Sequence, residues 1–103
     1  MKQYTLEVVA TSLESLESAI EGGADRIELC SNLFCGGTTP SVGLIQAAIS
    51  ESSVPVHVLI RPRPGDFCYN KAEMNIICRD IEFAKQSGAA GIVCGFLLPD
   101  GNI

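Results

Sequence analysis

The hydrophobic pattern of this chain switches repeatedly between a period of about two and a period of about 3.6, and few folds satisfy such an alternation. "YTLEVVA" reads as a strand, and Thr11 with Glu14 stands at the spacing of a capping box that opens a helix. Leu13, Leu16 and Ile20 line one face of that helix, and Gly22-Gly23 stop it. "DRIELC" is a second strand, followed by the loop "SNLFCGGTTP" and a helix in which Leu44, Ile45, Ala48 and Ile49 share a face. "VPVHVLIR" is a third strand. Asn70 with Glu73 forms another capping box, and Met74, Ile77, Ile81 and Ala84 mark a long helix that ends at Gly88. "AGIVCGFLL" is a fourth strand. The order β-α-β-α-β-α-β, with roughly thirty residues per unit, calls for parallel strands joined by right-handed crossovers.

Two closures compete for such a chain, an open doubly wound sheet and a (βα)8 barrel. The strand faces favour the barrel. Leu6 and Val8 lie opposite Glu7; Ile27 and Leu29 lie opposite Arg26, Glu28 and Cys30; Val56, Val58 and Ile60 lie opposite His57, Leu59 and Arg61. An open sheet covered by helices on both sides is apolar on both faces, whereas a barrel tolerates ionisable groups on its inner face. After the first strand stands "VVATSLES", which is no dinucleotide-type GxGxxG loop. The fold class expected is therefore α/β, parallel (βα) units of a TIM-barrel-like fold. Four strands make about half a barrel, so residues 1–103 are read as a single partial domain.

The segment "IRPRPGDFCYN" places Arg61 and Arg63 where the third strand ends. Arginine keeps its proton, so the pair implies nearby anions. Glu7, Glu28 and Arg61 are expected to converge on the inner face toward the carboxyl ends of the strands, as candidate catalytic residues: carboxylates for proton transfer and a guanidinium to clamp an anion. Arg26, Arg63 and Asp66 are candidate ligand-binding residues, with Arg63 facing solvent or the loop. The competing reading is an ion network that only plugs the barrel. Pro62 and Pro64 give a rigid strand exit, Gly65 a turn, and Asp66 a cap for local amides. In "CGGTTPS", a helix N-terminus could meet an anion, but a cap from Thr39 or Ser41 is the simpler reading. His57, the single histidine, starts the third strand near the bottom of the barrel and reads as a packed residue.

A net charge of -5 without a basic cluster beyond the arginine pair argues against nucleic-acid and anionic-membrane surfaces. No apolar window reaches the length of a membrane span or a signal peptide, which points to a cytoplasmic protein. The five cysteines are unevenly spaced, none in a CxxC pair, so free thiols are expected.

The motifs "EGGADRIELC", "GGTTPSVGLI", "IRPRPGDFCY" and "GIVCGFLLPDGNI" occur in order, and together they resemble the N-terminal half of the CutC family, named for copper homeostasis. The resemblance implies a TIM-barrel-like fold, a cytoplasmic protein and a role in copper handling. Full-length members are longer, so this chain reads as a fragment or a truncated half barrel. Val9 stands where many members carry cysteine, Cys35 where an acidic residue is common and Pro64 where glycine is usual. Soft thiolates suit Cu(I), and Cys30, Cys68 and Cys94 fall at or beyond strand ends, which makes them the candidate copper ligands. A copper-binding protein, a barrel enzyme acting on a small anion and a non-functional half barrel are the competing functions. Exposed barrel edges predict a homo-oligomer.

Overall fold

The structure is a computed structural model that describes residues 3–103. Four strands, β1 (Glu7–Ala10), β2 (Arg26–Leu29), β3 (Val56–Leu59) and β4 (Gly91–Val93), pair in parallel in the order β1-β2-β3-β4. The helices α1 (Leu13–Glu21), α2 (Val42–Glu51) and α3 (Lys71–Gln86) form the crossovers. This is an α/β half-barrel, as the alternating periodicity predicts.

Each helix begins where a short polar side chain can take up free amides. Asn70 accepts from the Glu73 amide at 2.8 Å while the Glu73 carboxylate accepts from the Asn70 amide at 2.9 Å, the capping box expected for α3. Ser41 caps α2 by accepting from the Leu44 amide. The capping box of α1 lies one residue later than expected: Ser12 is the N-cap and Ser15 its partner, in place of Thr11 and Glu14. The Ser15 hydroxyl accepts from the amides of both Thr11 and Ser12, doing with a short side chain what the Thr-x-x-Glu pattern assigns to a carboxylate. Glu14 sits in the first turn, where the helix dipole favours it.

The core fills the space between helices and sheet. Ala10, Ile27, Leu29, Val56, Val58 and Ile60 present the apolar face of the strands to Leu16, Ile45, Ala48, Ile77 and Ala84. Full burial of an aliphatic side chain such as Leu29 contributes about 2 kcal/mol in transfer free energy. Met74, expected on the buried stripe of α3, lies at its exposed end instead. The fourth strand is also shorter than the run "AGIVCGFLL": pairing stops at Val93, because the Leu97 amide donates to the Phe67 carbonyl and Phe96 packs edge-on against Tyr69. The rim loop thus captures the chain that would have extended the edge.

Register sets which inner-face residues share a level. Glu7 stands beside Arg26; Val9, Glu28, His57 and Gly91 form one row; Leu59 and Val93 lie in the next. Glu7 opens β1 and sits low on the inner face, not toward the carboxyl end as expected, while Glu28, next to last in β2, lies one level higher. Arg61 is four residues past His57, about 13 Å further along the strand direction.

Candidate functional site

Two polar layers result, a carboxylate floor and an arginine rim. On the floor, the Arg26 Nε donates to the Glu7 carboxylate in an ion pair. Burial pushes the Glu28 carboxyl above the usual range, and the neighbouring Glu7 adds repulsion and a carboxyl–carboxyl hydrogen bond. His57, read from the sequence as a packed residue, is packed against β4, and the β2/β3 ladder also makes it the neighbour of Glu28. Its imidazole lies over the next strand, where a Cβ on Gly91 would come within 2.9 Å of the ring. Strand alternation put His57 on the inner face; only the register could place it beside Glu28.

The rim does not hold the expected convergence. Arg61 donates to the carbonyls of Cys35 (2.9 Å), Gly37 (2.7 Å) and Gly65 (2.9 Å), and its guanidinium stacks over Phe67 with 5.2 Å from the central carbon to the ring centroid. It pairs with neither Glu7 nor Glu28, since the strand carries it beyond both. Arg63 faces the loop: it pairs with Glu73 and Asp66, donates to the Asp66 and Cys68 carbonyls, and covers the Tyr69 ring. Asp66 also accepts from the Cys68 amide, and that bond, followed by Arg63, holds its carboxyl below the ordinary range. Arg63 and then the Asn70 amide do the same for Glu73. The anions that Arg63 implies are therefore Asp66 and Glu73, and the Glu7 charge is met by Arg26.

At the carboxyl ends of β3 and β4 a cavity of about 320 Å³ opens between Leu59, Arg61, Phe67, Val93, Cys94 and Gly95. A second hollow of about 460 Å³ continues from Phe67 and Cys94 to Phe96 and Leu97. Both lie where barrel folds build their sites.

The CutC family model matches residues 4–103. The chain belongs to the CutC family. The family protein CutC of Vibrio parahaemolyticus is 55% identical over 98 residues, which cover 95% of this chain and 40% of that protein. That of Rhizobium meliloti is 48% identical over 103 residues, 100% of this chain and 42% of the relative. Among solved structures, a CutC of Streptococcus agalactiae, named as a copper homeostasis protein, superposes with a TM-score of 0.85 at 38% identity, covering 94% of this chain and 48% of that one. The chain thus spans about 40% of the length of the curated relatives it matches.

The CutC name raises the question of copper ligands within these residues. Among the described residues, no group of three or more His, Cys, Asp or Glu side chains is placed to hold a metal ion. Cys30 is buried, Cys68 half-buried and Cys94 exposed at the cavity, all three as free thiols. Burial, then the Glu28 charge, pushes the Cys30 thiol up, which disfavours the thiolate that copper needs. Among the described residues, Cys30, Cys68 and Cys94 are thus not gathered into such a group.

Proposed function

We propose that this chain forms the N-terminal half of a CutC-type barrel that acts in the cytoplasm on a small anionic ligand, within the copper homeostasis for which its relatives are named. The observation that carries the reading is the Glu7/Glu28 pair on the inner face, in which burial and then Glu7 raise the Glu28 carboxyl above its usual range at a level shared with His57. A carboxyl whose pKa is raised above its usual range is suited to give a proton to a bound ligand and to take one back. Arg26 fixes Glu7, while Arg63 and Asp66 order the rim loop through which a ligand enters. The test is a thermal-shift panel of sugar phosphates and small carboxylates against the chain and Glu28→Gln. At least one anion is expected to raise the Tm of the parent, and by less in the variant. A panel in which none does so would end this reading.

The names of the relatives favour a second reading, in which Cu(I) is cargo held by Cys30, Cys68 and Cys94 after the rim rearranges. It expects Cu(I) binding that disappears when all three are changed to serine. Equal binding by parent and triple variant would refute it.

A further inference from the structure

Arg61 is only 8% exposed, yet its charge has no carboxylate partner. Its hydrogen bonds go to neutral carbonyls, while the acidic groups nearby are engaged elsewhere: Asp66 and Glu73 on Arg63, Glu7 on Arg26. A guanidinium has five N–H groups. Two donate from Nη1 to Cys35 and Gly37 and one from Nη2 to Gly65, and Nε is buried with no partner at all. The Nε and Nη2 edge is one of the two edges with which arginine grips a carboxylate.

The surrounding loop is built around this cation. Gly36 and Gly37 both hold left-handed backbone, with φ of 90° and 99°, and the turn they make aims the Cys35 and Gly37 carbonyls at Nη1. A Cβ on Gly36 would lie 3.4 Å from Nη1, and one on Gly37 would strike Leu59 at 2.9 Å. Phe67 covers the guanidinium and also walls the cavity of about 320 Å³, whose other neighbours include Leu59 and Val93. A buried cation held by neutral carbonyls and an aromatic face, beside a small apolar cavity, is the complement of an anion with an apolar body.

We propose that Arg61, with Phe67 as its cover, is the anion-anchoring subsite of this barrel and takes a compact organic carboxylate. The carboxylate engages Nε and Nη2 once Phe67 swings aside, and the aliphatic body packs on Leu59 and Val93. This deepens the reading of a small-anion site and rests on it, but it assigns the anchor to Arg61 alone, away from the Glu7/Glu28 floor.

The test follows the Arg61 Nε–Hε resonance of the 15N-labelled chain, assigned through its own side-chain carbons, during titration with butyrate, butyramide and inorganic phosphate. Butyrate is expected to shift it saturably, butyramide to leave it unmoved, and phosphate to bind at least tenfold more weakly. Cys94→Trp, which fills the cavity without touching the carbonyl cage, is expected to weaken butyrate at least tenfold. An unmoved resonance, equal shifts by butyrate and butyramide, tighter phosphate binding, or an unaffected Cys94→Trp variant would each overturn the proposal. A butyrate response at the Glu28 carboxyl with Arg61 silent would overturn it while leaving the proton-transfer reading intact.

Discussion

Position 91 carries no side chain because the His57 ring occupies that space: a Cβ there would lie 2.9 to 3.1 Å from three ring atoms. Gly91→Ala is expected to cost about 1–3 kcal/mol through overpacking, measured by urea unfolding. In a His57→Ala background the same change should cost far less, so a double-mutant cycle isolates the ring contact. Glu28 gives a prediction in pH. Its raised pKa means that the protonated form suits the fold, so its contribution is fully present below the usual carboxylate range and is lost as pH rises through the raised value. Glu28→Gln should therefore be more stable than the parent at neutral pH, by less than about 1 kcal/mol at this partly solvated site, and indistinguishable from it at the acidic end. Urea unfolding across pH 3–8 checks this on the order of the pKa range given for carboxylates. At this scale the residue types were legible and their meetings were not. Strand alternation assigns Glu7, Glu28 and Arg61 to one face, but depth along a barrel depends on register, and register is set by crossover geometry that no local pattern records.

Among the elements, α3 is held by a device that doubles as a rim support. Glu73 closes the capping box with Asn70 and also receives Arg63, so the helix start and the loop from Pro62 to Tyr69 are one unit. Asn70→Ala is expected to cost about 1 kcal/mol in unfolding free energy, with loss of rim order visible as weaker amide protection at Cys68. Glu73 and Asp66 have depressed carboxyl pKa values, so what they contribute is present above the ordinary range and fades as pH falls through the lowered values. The α3 box was readable because Asn-x-x-Glu matches the common template. The α1 box was read one residue early because Ser12 and Ser15 form it with two hydroxyls. The short β4 was unreadable because its end is decided by Phe67, a residue of a distant loop.

At the level of the whole molecule, β1 and β4 are the edges of the sheet. Apolar side chains are exposed near both, Leu6 and Val9 on one side and Phe96, Leu97 and Leu98 on the other. Open edges with apolar neighbours favour pairing between copies. The chain is expected to self-associate, read as a mass of at least twice 10.9 kDa by size exclusion with light scattering at high concentration. A monomer throughout would contradict this. The half-barrel itself was legible because helix and strand periods alternate cleanly and the strand faces differ. The split between a floor of carboxylates and a rim of arginines was not.

Strands laid down in the order in which they occur along the chain have a consequence for synthesis. Within these four strands, each new strand-forming segment docks on the one made just before it, across a single helix. Loop-closure entropy grows slowly with such short separations. The nascent polypeptide can therefore acquire structure unit by unit as it leaves the ribosome, with the latest strand always serving as the template for the next.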